Sequence, residues 1–325
     1  MITKQTQSGR MLTIYPDEKS TNQSAIWVDL LNPSDAELAR ARVEYGAAIP
    51  SRLQLEEIES TSRLRSVGDA LILSMPIASI SDTGDTMPPP IGFVLTPNLF
   101  VTVRFAELHA VAPTIEKLKN KTAPTSAEMF VTLVEAMVDY AADTLERYAS
   151  ELNAISRHVF SRYGRGRQVT RALSSRALKV TLVEVGDTGD KLSHLRDSIL
   201  GLQRIAPYAA DKGGKWLDES VRERLKAVSQ DVQSLTDFEV HLTDKVQLLL
   251  DAVLGFINTE QNDIFRVLTI VSVVGIPPTF IASMYGMNFD TIHEYHWHYG
   301  YAWGLGLIIV SAIVPIAWFK WRGWW

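Results

Sequence analysis

The sequence predicts an α+β cytoplasmic domain, with a mixed sheet and helical layers, followed by a long stalk helix and two C-terminal transmembrane helices. Three observations support this fold class. Short β-rich runs alternate with capped helix patterns in roughly the first 105 residues. A long helical pattern without proline begins at Trp216, and two uncharged runs of membrane length lie near the C-terminus. A chain of 325 residues is long enough for such a division into domains.

These patterns divide the chain into seven segments. We expect a cytoplasmic α/β domain over residues 1–106, a cytoplasmic helical layer over 107–215, a stalk helix over 216–266, a first span over 267–286, an external loop over 287–300, a second span over 301–319 and a cytoplasmic tail over 320–325.

The N-terminal part combines strand and helix signals. Apolar β-rich runs predict strands at Met11–Tyr15, Ala25–Leu30, Ala70–Ile77 and Ile91–Phe105, the last broken by a hairpin turn at Thr96-Pro97-Asn98. Helical patterns extend over Asp35–Tyr45, Arg52–Ser66, Ala127–Phe160 and Arg167–Gln203, with Ser34 and Ser51 as N-caps of the first two. A mixed α/β unit followed by an antiparallel helical layer therefore precedes the stalk.

The stalk pattern continues from Trp216 to Ile276 without proline. Its apolar residues follow one another in steps of three and four, with an interruption at Glu239: Leu225, Val228, Val232, Leu235, Leu242, Val246, Leu249, Val253 and Phe256. Two compatible interpretations are open. The pattern is a coiled coil that sets the oligomeric state, or it is a helix that runs unbroken from the cytoplasm into the membrane.

Two uncharged runs, Val267–Met284 and Tyr301–Phe319, are close to the minimum length that crosses a bilayer as a helix. Aromatic residues at both ends fit the belts found at water–lipid boundaries: Trp297, Tyr299, Tyr301 and Trp303 at one end, and Trp318, Trp321, Trp324 and Trp325 at the other. Arg266, Lys320 and Arg322 flank the spans, and the loop between the spans holds no lysine or arginine. The positive-inside rule therefore places both termini in the cytoplasm.

One face of the first span is polar, which is the pattern of a helix that lines an aqueous path. This polar stripe contains Asn258, Asn262, Ser272, Thr279 and Ser283, and Phe265 and Ile276 lie on the same face. An apolar ring at the last two positions would close such a path by dewetting. The alternative is that these hydroxyl groups only bond within the membrane or hold helices together. Because two helices cannot enclose an aqueous path, a path lined by this face requires a symmetric oligomer.

Composition excludes several other classes of protein. The chain has no cysteine, so it has no disulfide, iron–sulfur cluster or thiolate metal site, and its net charge of −5 argues against a nucleic-acid partner. No phosphate-binding loop or catalytic triad spacing is present, so we expect no enzyme activity. The N-terminus lacks the apolar core of a signal peptide, so we expect the soluble part to stay in the cytoplasm.

Five short motifs stand out in the C-terminal part of the chain: Gly255-Phe256-Ile257-Asn258, Glu260-Gln261-Asn262, Pro277-Pro278-Thr279-Phe280, Tyr285-Gly286-Met287-Asn288-Phe289 and Trp318-Phe319-Lys320-Trp321. With these motifs the chain resembles the CorA family of divalent-cation channels, and the resemblance extends over the whole chain. It implies a homopentamer in the cytoplasmic membrane with a funnel-shaped cytoplasmic domain. It also implies that Mg²⁺ is the usual substrate, that Co²⁺ and Ni²⁺ are carried as well, and that cytoplasmic Mg²⁺ closes the channel. No cofactor is expected beyond Mg²⁺ as substrate and regulator.

The resemblance assigns roles to residues of the spans and the loop. It implies a selectivity filter of Gly286, Met287 and Asn288 at the outer mouth, and a pore lined by Asp251, Asn258, Asn262, Phe265, Leu268, Ser272, Ile276, Thr279 and Ser283. Mg²⁺ gives up its waters reluctantly, so a ring of Asn288 amides would hold the hydrated ion through its water shell. Gly286 would permit the tight chain reversal that places Asn288 on the axis. Asp290 and Glu294 would concentrate cations at the entrance.

Two other functions compete with Mg²⁺ transport. His293, His296 and His298 in the loop are a possible ligand set for Zn²⁺, and the related ZntB branch of the family carries zinc, which makes proton-coupled Zn²⁺ transport an alternative. Met287 argues for magnesium, because the zinc branch usually has isoleucine or valine there. A membrane-anchored enzyme or scaffold would have no need of the polar stripe. The cytoplasmic sensor is left unassigned, since Asp231, Asp237 and Asp244 also fit a solvated helix face.

Overall fold

A computed structural model of the chain describes residues 2–6, 11–14, 25–57, 59, 63–78, 88–119, 121, 123–163, 175–287 and 293–324. The chain divides into two compact units. The first contains residues 1–168 and 183–250, and the second contains residues 169–182 and 251–325.

The first unit contains a sheet of seven strands. These are β1 Ile2–Thr6, β2 Met11–Ile14, β3 Ala25–Leu31, β4 Leu64–Val67, β5 Ala70–Pro76, β6 Pro90–Leu95 and β7 Phe100–Arg104. Their order is β2-β1-β3-β7-β6-β5-β4, with β3 and β7 parallel and the other neighbours antiparallel. The predicted mixed sheet is thus confirmed. The predicted turn at Thr96-Pro97-Asn98 joins β6 to β7, where the Thr96 N–H donates to the Leu99 carbonyl over 2.9 Å.

Seven helices follow or separate the strands in the described part of the chain. They are α1 Asp35–Tyr45, α2 Arg52–Glu56, α3 Val111–Lys119, α4 Ser126–Tyr163, α5 Ser175–Lys212, α6 Glu219–Tyr285 and α7 Gly300–Trp321, and a 3-10 helix spans His293–His296. The α+β fold class with a long helix and a C-terminal helix is therefore confirmed.

Helix α1 has the predicted bounds because both of its ends carry local signals. The Ser34 hydroxyl oxygen accepts from the Glu37 N–H over 3.3 Å, and the Glu37 carboxylate accepts from the Ser34 N–H over 2.8 Å. That second bond stabilises the charged carboxylate and lowers the pKa of Glu37 below its usual value. At the other end, Gly46 takes a left-handed conformation with φ of 59°.

The prediction of one helix over Arg52–Ser66 is wrong at Glu57 and again from Leu64 onward, and residues 58 and 60–62 lie outside the described chain. Helix α2 ends at Glu56, Glu57 is extended with ψ of 132°, and Leu64–Val67 forms the edge strand β4. Leu55 is the one buried residue of α2, so contact with the sheet stabilises only a single helical turn. Leu55 reaches the sheet because Gly92 has no side chain, since a Cβ there would lie 2.6 Å from Leu55 Cδ2.

The sheet is covered on both faces. Helices α1 and α2 bury Leu38 and Leu55 on one face, against a set of strand residues that includes Val28, Leu30, Ile72, Val94, Val101 and Val103. The larger core lies on the other face, where α4 contributes Phe130. Its ring packs edge to face against Phe100 and Phe93, with centroids 5.7 Å and 5.9 Å away. The helical layer predicted after the α/β part therefore supplies most of the core.

Four side chains of the parallel pair β3–β7 form a buried polar network. Arg104 Nη2 donates to Asp29 Oδ2 over 2.8 Å, and its Nε donates to Asp29 Oδ1 over 3.0 Å. Thr102 Oγ1 donates to the same Oδ1 over 2.5 Å and accepts from Trp27 Nε1 over 3.2 Å. Both ions are desolvated, with 7% of Arg104 and 5% of Asp29 exposed, so each depends on the other.

The predicted stalk is one continuous helix, α6, which extends through Pro277 and Pro278. The seam residues of its first-unit part, including Leu225 and Val246, are buried in the chain's own core together with α4 and α5. Arg224 binds Glu135 of α4 through Nη2 at 2.6 Å and Nε at 2.7 Å. The interpretation as a coiled coil between subunits is therefore wrong for this seam, which packs within the chain.

The interruption of the seam at Glu239 has a structural explanation. Glu239 is only 1% exposed and occupies a seam position between apolar neighbours. Its Oε1 accepts from Thr243 Oγ1 over 2.7 Å, and Arg196 Nε of α5 lies 3.8 Å from Oε2. The carboxylate thus faces a guanidinium of α5 across the helical layer.

Substitution of Gly201 by valine is expected to lower the melting temperature of the full chain in detergent. A Cβ at Gly201 of α5 would lie 2.6 Å from Met75 Cβ of β5, so the helix would be pushed from the sheet. Such overpacking costs about 1–3 kcal/mol. Gly186→Val on the same helix is the control, because a Cβ there meets nothing within 4 Å. Equal melting temperatures for the two variants would contradict this packing.

Candidate ion pathway

The second unit contains two helices that are long and apolar enough to cross a membrane. They are the part of α6 that ends at Tyr285, and α7. None of the apolar window of α6 and 6% of that of α7 is buried within the chain. Exposed apolar surface of this extent needs lipid or other subunits to cover it.

The two helices are antiparallel, with one end of each side by side. The Arg266 guanidinium, at the start of the apolar part of α6, lies 6.0 Å from the ring centroid of Trp324, which follows α7. The intervening connection contains the 3-10 helix His293–His296. The positive residues at the start of the first span and at the end of the second therefore share one end of the unit, as the charge pattern predicts.

The predicted pore-lining residues, which include the polar stripe, lie on one exposed face of α6. At 3.6 residues per turn, the nine positions fall within about a third of the helix circumference. All are exposed except Ser272, which is half-buried: Asp251, Asn258, Asn262, Phe265, Leu268, Ser272, Ile276, Thr279 and Ser283. Phe265 and Ile276 are 64% and 65% exposed. No part of the described chain covers this face.

The opposite side of α6 is the one that the chain partly covers. Its half-buried residues in the apolar part are Ile270, Val274, Pro277, Pro278, Ile281 and Tyr285. By helical geometry, these positions lie across the axis from the polar stripe. The chain therefore covers this side of α6 only in part, since Val267 and Val271 on the same side are 61% and 63% exposed.

Thr279 has a backbone contact that fixes its hydroxyl. Thr279 Oγ1 donates to the carbonyl of Gly275 over 2.8 Å. With its hydrogen used in this way, the hydroxyl oxygen remains an acceptor toward the exposed face. Pro277 and Pro278, which precede Thr279, have no backbone N–H groups, so this part of the helix is short of two donors. The Thr279 hydroxyl adds a further acceptor oxygen at the same place.

Helix α6 ends in a turn at the start of the Gly-Met-Asn sequence. The Gly286 N–H donates to the carbonyls of Ala282 over 2.9 Å and Ser283 over 3.2 Å, and the Met287 N–H donates to Met284 over 3.3 Å. Gly286 thus continues the helical hydrogen-bond pattern at the end of α6, and its φ lies outside the left-handed region. The expected chain reversal toward Asn288 begins beyond the described residues and stays a prediction.

The loop residues of the predicted filter are partly outside the described chain. Asn288 and Asp290 lie there, as does the side chain of His293. Glu294 is half-buried and its carbonyl accepts from the Trp297 N–H over 3.2 Å. These two residues form a closed turn just before α7.

The remaining loop histidines do not form a metal site within the described residues. His296 and His298 are exposed, and the His298 ring contacts the Tyr299 ring edge to face at 4.9 Å. In the part of the chain that the structure describes, no group of three or more histidine or acidic side chains is placed to hold a metal ion.

One feature of this unit was not predicted from the sequence. The chain turns back after α7, so that Trp324 stacks on Phe319 with ring centroids 5.5 Å apart and lies beneath Arg266. The sequence contains a signal for this C-cap. Gly323 follows the helix directly, and Lys320 lies in the last helical turn.

Comparison with known proteins agrees with this architecture. The magnesium transport protein CorA of Sodalis glossinidius is 31% identical to this chain over 322 residues, which are 98% of each sequence. The complete structure of the CorA magnesium transporter from Methanocaldococcus jannaschii superposes with a TM-score of 0.75 at 16% identity, covering 100% of this chain and 99% of the other. The ZntB cytoplasmic domain from Vibrio parahaemolyticus matches with a TM-score of 0.54 at 12% identity, covering 80% of this chain and 97% of that domain.

A family model settles the relationship. The model described as CorA-like Mg²⁺ transporter protein matches residues 22–321, which include most of both units and both candidate spans. This chain therefore belongs to the CorA-like Mg²⁺ transporter family.

Proposed function

We propose that the chain is a subunit of a gated channel that admits Mg²⁺, and also Co²⁺ and Ni²⁺, across the cytoplasmic membrane. The observation that carries this proposal is the exposed polar face of α6, opposite the face that its own chain partly covers. A helix that only anchors a protein has no reason for such a face. Membership of the family and the transport activity named for its relatives support Mg²⁺ as the ion.

The pore is formed by several copies of the chain. Two antiparallel helices cannot surround a path, so the exposed faces of α6 from symmetry-related subunits must meet around an axis. Five subunits are proposed from the family resemblance. The positive-inside rule, applied to Arg266, Lys320 and Arg322, supports a cytoplasmic location for this end of the spans, and we infer the same side for both termini. The membrane potential then favours entry by about 2.3 kcal/mol per charge per 100 mV.

Selectivity is assigned to the Gly286, Met287 and Asn288 segment at the outer end of α6. Mg²⁺ binds water strongly, so a ring of neutral amide oxygens that accept hydrogen bonds from its water shell favours the hydrated ion without trapping it. Asp290 and Glu294 add negative charge to the outer loop and raise the local cation concentration. Further along, Asn258, Asn262 and Thr279 offer similar neutral acceptors.

The apolar residues of the stripe form the gate. Phe265, Leu268 and Ile276 are exposed on the pore face, and rings of such side chains expel water when the pore narrows. Binding of Mg²⁺ to the cytoplasmic part favours this closed state. No metal or other group is required for the transport step besides the ion itself.

Substitution of Ile276 by serine is expected to leave the channel leaky. A hydroxyl in the ring removes the dewetting barrier, so Co²⁺ should enter proteoliposomes severalfold faster than through the unmodified protein when Mg²⁺ is present inside. Quenching of enclosed calcein measures this entry. Ile313→Ser in α7 is the control, because Ile313 is similarly exposed but lies on the second span. If both variants leak at the same rate, Ile276 is not part of the gate.

A second candidate is proton-coupled Zn²⁺ transport by the same architecture. The exposed loop residues His296 and His298 are the observation in its favour, because imidazole is a common Zn²⁺ ligand. The likeness to the ZntB domain extends only to the fold.

Flux into proteoliposomes distinguishes the two candidates. Mg²⁺ and Zn²⁺ are supplied separately, with and without a pH gradient, and with or without Mg²⁺ inside. We expect Mg²⁺ entry that does not depend on the pH gradient and is reduced by internal Mg²⁺. If Zn²⁺ entry requires the proton gradient and Mg²⁺ flux is small, the chain is a zinc transporter and the magnesium channel is excluded.

A further inference from the structure

The end of the chain is folded back into a compact cap. After α7, Gly323 takes a left-handed conformation with φ of 72°, and the Trp324 N–H donates to the Phe319 carbonyl over 3.0 Å. The reversal lays the Trp324 ring on Phe319, which is only 1% exposed. The described part of the tail therefore folds onto the end of α7, with the Trp324 ring packed on Phe319.

Two guanidinium groups are held by indole rings of this cap. Arg266 lies 6.0 Å from the centroid of Trp324, and Arg322 lies 5.6 Å from that of Trp318. Cation–π contacts of this kind hold the guanidinium plane while leaving its N–H groups at the edge. The carboxylate near Arg266 is Asp263, at 3.8 Å, and both side chains of that pair are at least half exposed.

Charge and aromatic exposure coincide at this end of the spans. We call the exposed residues Arg266, Trp318, Lys320, Trp321, Arg322 and Trp324 the basic–aromatic cap. Trp321 is 84% exposed, which is unfavourable in water and favourable at the headgroup level of a bilayer. A bilayer that holds these tryptophan rings at its headgroup level would therefore place the three cations of the cap near lipid phosphates.

We propose that the basic–aromatic cap is a binding site for the phosphate headgroup of an anionic phospholipid in the cytoplasmic leaflet. Guanidinium groups bind phosphate oxygens in pairs, and exposed tryptophan rings pack beside the glycerol and upper acyl region. Because Arg266 lies at the start of the apolar part of α6 and beside Trp324, which follows α7, a bound lipid would contact both helices at this end of the second unit. The site does not depend on which ion the protein carries.

Native mass spectrometry of the full-length protein in detergent tests this site. The protein is titrated with phosphatidylglycerol and, separately, with phosphatidylcholine. We expect tighter binding of phosphatidylglycerol. Replacement of one cation, as in Arg322→Gln, should weaken its binding about fivefold, and the combined Arg266→Gln, Lys320→Gln and Arg322→Gln substitutions should weaken it roughly 100-fold.

A matched variant and a competitor complete the test. Lys119→Gln, Arg157→Gln and Lys226→Gln remove the same charge from exposed positions of the first unit and should leave lipid binding unchanged. Inorganic phosphate at millimolar concentration should not displace the lipid. Equal binding of the two lipids, an equal loss in the matched variant, or displacement by phosphate would each overturn the proposal. The single Arg322→Gln variant, which removes one exposed side chain, gives the answer if the triple variant does not assemble.

Discussion

Asn288→Ala is expected to abolish Mg²⁺ uptake while the oligomer still assembles. The amide at this position is proposed to accept hydrogen bonds from the water shell of Mg²⁺ at the outer mouth, and alanine offers no acceptor there. Each subunit contributes one copy, so a single substitution removes the entire ring. Uptake into proteoliposomes measures the loss, and gel filtration in detergent checks the assembly.

Asn98→Ala is the matched control for this experiment. Asn98 is an exposed asparagine in the β6–β7 turn of the first unit and belongs to neither candidate span, so its loss should leave uptake unchanged. Asn288→Asp separates charge from hydrogen bonding. A ring of carboxylates binds the cation more strongly and should slow its release, so that flux falls although binding persists. Normal Mg²⁺ uptake by Asn288→Ala would exclude Asn288 from the filter.

The parts of the fold that the sequence predicts well are those with local signals. Helix α1 has its capping box and its C-terminal Gly46 within the segment, and the β6–β7 hairpin has Pro97 in its turn. The exposed face of α6 follows from the spacing of its polar residues alone, because helical geometry converts spacing into a face. These predictions needed no knowledge of distant contacts.

The missed elements depend on residues far away in the sequence. Strand β4 is largely exposed at the sheet edge, so it lacks an apolar run and resembles a helix continuation. Strand β1 is mostly polar in sequence and is defined by its pairing with β2 and β3. The length of α2 depends on Leu55 and on the absence of a side chain at Gly92. Propensity within a window contains none of this information.

The candidate pathway shows the same division. Its stripe could be read from the sequence, but the contact of Arg266 with Trp324 joins positions that only the antiparallel arrangement brings together. Glu239 is a second case, because the sequence shows it only as an interruption of the apolar seam. In the structure it is buried, and Arg196 Nε lies 3.8 Å from its carboxylate.

The largest effect on stability is expected for Arg104→Met. This variant keeps most of the apolar volume but leaves the Asp29 carboxylate buried, with the hydroxyl of Thr102 as its remaining side-chain donor in the network. An uncompensated buried charge costs about 3–5 kcal/mol, which corresponds to a fall of roughly 10 °C in the melting temperature of a domain of this size. Thermal unfolding of the full chain in detergent, followed by far-UV circular dichroism, measures the shift.

Two further variants distinguish an unpaired charge from a general loss of packing. Lys191→Met removes an exposed cation whose pair with Asp187 spans 2.6 Å, and it should change stability by at most about 0.5 kcal/mol. The double variant Asp29→Leu with Arg104→Met removes both buried charges, so it should recover most of the lost melting temperature. If the double variant is as unstable as Arg104→Met alone, the loss comes from packing around β3 and β7 and the ion pair is not its cause. Recovery would mean that the attraction between Asp29 and Arg104 only offsets the cost of removing both charges from water. The stability of the parallel β3–β7 pair would then come from the burial of its apolar side chains.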